Sequence, residues 1–186
     1  MLAIARRDDK SLTSPDLLGM DATWNAVPRI PVELKEKASW TKAVRDLLRK
    51  EGKSKASVQI QSVEQIDLLN DGKPDIVVYA AQTKWRGRCA RDPLANGCHS
   101  GGEFDIERSY GMVAVAMDGV GPLKKLLFYF SGELIWELND RLFADVDGDN
   151  ALEFVFKISY YEGWRAGVIR IDSEHSKEVI SLDCGL

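Results

Sequence analysis

Apolar and polar positions change period once along the chain. Leu34, Ala38, Thr41, Val44 and Leu48 recur at helical spacing, Trp40 and Leu47 widen the stripe, and Lys35, Lys42, Arg45 and Arg49 lie off it. Pro31 suits a first helical turn and Gly52 a C-terminal cap. The spacing predicts a helix over 31–51 that covers one face of a sheet. From residue 57 the period falls to two, beginning with Val58-Gln-Ile-Gln. Strands are predicted at 76–81, 109–117, 123–130, 133–138, 154–160, 165–171 and 177–182, with glycine-rich turns at 119–122 and 131–132. Residues 1–30 read as an irregular lead-in, broken by Ser14-Pro15 and Pro28. The expected fold is mainly β, bordering on α+β. It is an antiparallel meander forming a curved sheet or two small packed sheets, with one N-terminal helix packed on it.

One stretch stands out from this pattern. Asp145-Val-Asp-Gly-Asp-Asn-Ala-Leu-Glu153 places carboxylates at alternate positions and then runs into the apolar strand Phe154-Val-Phe-Lys-Ile. Hard cations such as Ca²⁺ take six to eight oxygen ligands in flexible geometry. Asp145, Asp147, Asp149 and Glu153 offer side-chain oxygens and Ala151 a backbone carbonyl. Asn150 falls at a turn position where a positive φ is expected. The bland alternative is an acidic turn, since Asp, Asn and Gly are the commonest turn residues.

A second copy lies upstream. Asp67-Leu-Leu-Asn-Asp-Gly-Lys-Pro-Asp75 precedes Ile76-Val-Val-Tyr-Ala, and Asp67, Asp71, Gly72 and Asp75 match Asp145, Asp149, Asn150 and Glu153 at one offset. Gly111-Met-Val-Ala-Val then matches Gly167-Val-Ile-Arg-Ile. At 63–81 and 141–158 the chain resembles the FG-GAP/VCBS family of calcium-loop β repeats, whose motif is Asp-x-Asp/Asn-x-Asp-Gly-x-x-Asp followed by a strand. The resemblance implies calcium at the 145–153 loop. Asn150 replaces Gly and Glu153 replaces Asp there, and both changes are tolerable. In the first copy Leu69 stands at a ligand position, which implies a structural turn or a weaker site at Asp67, Asp71 and Asp75. A propeller needs about four blades, so two copies do not close one.

The expected organisation is a single domain over 1–186, with a first β repeat at 57–133 and a second at 134–186. Its net charge of −4 argues against a nucleic-acid partner or an anionic membrane surface. No apolar run is long enough to span a membrane. The N-terminus has neither the apolar length nor the charge order of a secretion signal, which is expected to lie outside this sequence.

The first repeat carries an insertion at 82–108 that holds Trp85, Arg86, Arg88, Cys89, Cys98 and His99. Long loops are usually functional or disordered, and Trp and Arg are enriched at binding hot spots. Pro93 and Asn96-Gly97 let the segment turn back, so a Cys89–Cys98 disulfide is geometrically feasible. Cys184 is left over and competes for either partner, and three separate thiols are the alternative. A disulfide and a calcium loop agree on a periplasmic or secreted location. Tyr160, Tyr161 and Trp164 form an aromatic turn at the matching place in the second repeat.

The sequence offers no convincing catalytic set. His99 and His175 lack metal-ligand spacing, and no nucleophile elbow, phosphate loop or dinucleotide fingerprint is present. The expected function is therefore non-enzymatic: a calcium-binding protein that binds another protein through the insertion and the aromatic turn. An inhibitor or immunity protein of a hydrolytic toxin is one such role. A carbohydrate- or envelope-binding module, with Trp85, Tyr160, Tyr161 and Trp164 stacking on sugars, is the first alternative. A metal-dependent hydrolase using the acidic loops is the second.

Overall fold

A computed structural model describes residues 29–86, 103–129, 137–160, 163–172 and 175–185. Among the described residues the protein is mainly β, with two larger antiparallel sheets, a two-stranded ribbon and one short helix. The first sheet runs in the order β1 (Val32–Glu33), β2 (Ile60–Ile66), β3 (Asp75–Gln82), β6 (Tyr110–Ala116) and β7 (Lys124–Phe128). Between β3 and β6, a two-stranded ribbon pairs β4 (Trp85–Arg86) with β5 (Glu103–Phe104). The second sheet is a meander of β8 (Glu137–Ala144), β9 (Glu153–Tyr160), β10 (Gly163–Ile171) and β11 (Ser176–Gly185).

The two sheets repeat one plan. β2 leads through the first acidic loop into β3, which pairs with β6 and then β7. β8 leads through the second acidic loop into β9, which pairs with β10 and then β11. Gly111 and Gly167, matched in sequence, sit in the equivalent third strands, opposite Ala81 and Phe156.

Chain contacts divide the protein into two compact units, residues 32–65 with 75–137, and residues 1–31 with 66–74 and 138–186. In the former, period-two alternation along β3 turns Ile76, Val78 and Ala80 toward Val44, Leu47 and Leu48 of α1 (Thr41–Lys50), with Met112 and Ala114 of β6 in the same cluster. In the latter, Phe143, Phe154 and Phe156 form a ring series with centroids 5.2 and 5.9 Å apart. Leu68, Leu152, Ile158 and Ile171 are buried in the same unit.

The helix is shorter than the 31–51 expected. It begins with a 3-10 turn at Ala38–Trp40, because residues 32–34 are committed to the sheet edge. Val32 and Glu33 pair with Gln65 and Glu64, and Leu34 N–H donates to the Val63 carbonyl at 2.7 Å. Glu36 Oε1 then accepts the Ser39 N–H at 3.2 Å. The C-terminal end falls where Gly52 suggested. Gly52 has φ +75°, and Gly52 and Lys53 donate to the Arg49 and Leu48 carbonyls at 3.1 and 2.8 Å, a Schellman cap that favours glycine. The strand expected at 133–138 lies partly outside the described residues, and β8 continues it to Ala144. Asp140 and Arg141 disguise that continuation in the sequence.

Candidate metal centre

The second acidic loop joins β8 to β9, and its shape is set by its own carboxylates. Asp145 Oδ1 accepts the Gly148 N–H at 2.6 Å and Oδ2 the Asn150 N–H at 3.0 Å. Asp147 accepts from Asp149 at 3.3 Å, and Asp149 from Ala151 at 2.8 Å. Gly148 and Asn150 take φ of 83° and 71°, the left-handed region that Gly and Asn tolerate best. Folded this way, the loop brings ligand oxygens of Asp145, Asp147 and Asp149 within 4.8 Å of one another.

Glu153, the first residue of β9, is 1% exposed. Its Oε2 accepts the Val146 N–H at 2.9 Å, whereas Oε1 receives no hydrogen bond. Burial raises the Glu153 pKa above the ordinary carboxylate value. The Val146 N–H opposes that rise, and the negative charges of Asp149 and Asp145 add to it. Arg170 approaches from β10, with Nη2 paired to Asp147 Oδ2 and Nε 3.7 Å from Glu153 Oε1.

The first loop shares this geometry. Asn70 and Gly72 have positive φ at the places of Gly148 and Asn150. Gly72 donates to Asp67 Oδ2 at 3.0 Å, as Asn150 does to Asp145. Lys73 donates to Asp71 Oδ1 at 2.9 Å, as Ala151 does to Asp149. Asp67 and Asp71 thus serve as turn caps. Asp75 belongs to the other compact unit, is buried and accepts the Asp118 N–H at 2.9 Å. Among the described residues, the cluster whose ligand oxygens lie within 4.8 Å of one another is in the second loop.

Two arginines escaped the sequence reading. Arg29 donates from Nη1 to the Asp67 carbonyl and from Nη2 to the Asn150 carbonyl at 2.7 Å, bridging the two loops. Arg170 reaches the loop from a later strand. No motif spacing reveals either contact, because each depends on how the chain returns.

The other candidate residues are placed less fully. Trp85 and Arg86 are in β4 and Tyr160 closes β9, with side chains outside the described set. Arg88, Tyr161, Cys89 and Cys98, with the proposed disulfide, lie outside the described residues. Trp164 is half-buried in β10, with Lys157 Nζ 5.7 Å from its ring centroid. Cys184 is a free, exposed thiol. No helix among the described residues is long and apolar enough to cross a membrane. The chain matches no family model, no curated protein and no solved structure.

Proposed function

We propose that this chain is a β-sheet recognition protein whose 145–153 loop binds a divalent cation, with Ca²⁺ the preferred ion. The observation that carries the reading is the convergence of Asp145, Asp147 and Asp149 beside a buried Glu153 whose Oε1 lacks a hydrogen-bond donor. Those carboxylates would hold the ion, with the Ala151 carbonyl as a further ligand. An all-oxygen set on a flexible loop suits Ca²⁺ better than Mg²⁺, which demands near-ideal octahedral geometry, or Zn²⁺, which prefers N and S donors. A bound cation supplies positive charge that offsets carboxylate repulsion and stiffens the turn between β8 and β9. The loop's resemblance to FG-GAP/VCBS repeats agrees with this assignment, as does the repeated strand plan of the two sheets.

On this reading the protein acts outside the cytoplasm, where calcium is abundant, and binds a protein partner through the 82–108 insertion. Support for the insertion as the contact comes from its paired base at β4–β5 and from the exposed Ile106 beside it. The role of an inhibitor or immunity protein fits that arrangement.

Thermal melting with about 10 mM CaCl₂ against excess chelator tests the cation, since extracellular sites of this kind bind in the range of about 0.1–1 mM. A loop site saturated well above its Kd adds about 1–3 kcal/mol, or roughly 2–4 °C per kcal/mol for a chain of this length. An unchanged midpoint in both wild type and Asp147→Ala rejects the site.

A further inference from the structure

The position of Arg170 adds something that the aspartate spacing does not contain. Its one guanidinium touches Asp147, which is exposed, and approaches Oε1 of Glu153, which is buried and accepts no hydrogen bond. Two of the carboxylates assigned to the cation therefore already face a positive charge supplied by the chain. Arginine does not deprotonate in proteins, so this charge is permanent.

We infer that Arg170 is a built-in competitor for the cation and sets the affinity of the loop: Asp147 is held either by Arg170 or by a divalent ion. This rests on the reading that the 145–153 loop takes such an ion. The division of labour among the aspartates supports it. Asp145 has both oxygens on backbone N–H groups and shapes the turn. Asp147 accepts a single long backbone hydrogen bond through Oδ1, and its Oδ2 faces Arg170. Asp147 is thus the ligand whose recruitment requires Arg170 to withdraw. Arg170 is half-exposed, so its guanidinium can exchange Asp147 for water at small cost, as partly exposed ion pairs generally do.

Removing Arg170 changes two things that favour the cation. It ends the competition for Asp147, and it deletes a positive charge that repels the ion. One change works the other way, because the loop loses a charge that offsets carboxylate repulsion. The backbone hydrogen bonds to Asp145 and Asp149 do not involve Arg170, so they keep the loop in shape. The first two effects therefore dominate.

The test is calorimetric titration of the full chain with CaCl₂, for wild type, Arg170→Gln and Arg170→Lys. Arg170→Gln is expected to bind calcium on the order of tenfold more tightly, within the usual range of site coupling. Arg170→Lys should fall between, since lysine keeps the charge but lacks the planar fork. A second measurement follows the Arg170 side-chain NMR signal of wild-type protein during the same titration, and it should shift in step with saturation. Calcium binding by Arg170→Gln at or below wild-type affinity overturns the inference and leaves the cation site standing. So does an Arg170 signal that ignores saturating calcium, which decides the matter even if the Gln variant does not fold. No calcium binding by either protein removes the site itself, and the inference with it.

Discussion

Leu152 donates its backbone N–H to the Leu68 carbonyl at 2.7 Å, which ties the second acidic loop to the first through main chain alone. Both leucines are buried, and each sits next to a carboxylate of its loop, Glu153 and Asp67. Arg29 spans the same two loops through the Asp67 and Asn150 carbonyls. A pair of sequence repeats has become a pair of touching turns.

That link predicts coupled stability. Leu152→Ala and Leu68→Ala should each cost about 2–5 kcal/mol in urea unfolding, as buried leucines do. The double variant should depart from additivity by about 0.5 kcal/mol or more, because the two buried residues adjoin at one main-chain hydrogen bond. Strict additivity would show that the loops are held independently.

The two loops should differ in their response to calcium. Asp145→Ala and Asp67→Ala each remove a carboxylate that caps two backbone N–H groups. Each should lower stability in chelator by about 1–3 kcal/mol. Asp145→Ala should also abolish the rise in melting midpoint on adding calcium, whereas Asp67→Ala should keep it. Equal loss of the calcium response in both would assign ligand duty to the first loop.

Gly167 is required by its cross-strand neighbour. A Cβ there would lie 2.7 Å from Phe156 Cζ, 2.8 Å from Cε1 and 2.9 Å from Glu178 Oε1. Gly167→Ala should destabilise by about 1–3 kcal/mol, the usual cost of overpacking. Trimming the ring in Phe156→Leu should recover part of that loss when the two changes are combined. Unfolding of the single and double variants by denaturant checks both statements.

Alkaline pH should reveal Tyr110. Its buried hydroxyl accepts the Gln59 N–H at 2.8 Å and donates to the Ser57 carbonyl at 3.1 Å. Burial raises its pKa above the ordinary value of 10.0, with the Gln59 N–H opposing. The folded protein therefore keeps this proton where the unfolded chain releases it. Its contribution is fully present below pH 10 and is lost as pH rises through the folded pKa. Tyr110→Phe should cost about 1–3 kcal/mol at neutral pH by leaving a donor and an acceptor unpaired, and should flatten the decline above pH 10. An identical decline in both proteins would exclude Tyr110 as its source.

Much of the fold was legible from residues 57 onward, because strand alternation and turn chemistry are local. Ile76–Ala81 and Phe154–Tyr160 carry the apolar runs that became β3 and β9. The helix start was not legible. Residues 32–34 fit a helical stripe, and only pairing with β2 removed them from it. The acidic loop could be recognised from its spacing, but its charge partner could not.

The sequence alone determined the period of each segment, the two matched loops, and the left-handed position that Asn150 fills. These depend on backbone sterics and on contacts between residues a few places apart. Tertiary structure alone decided that the two loops touch, that Asp75 is a buried cap in the other unit, and that Arg170 faces Asp147 and Glu153. Those outcomes depend on which strands pair and in what register. Long-range pairing places groups together that no local pattern connects.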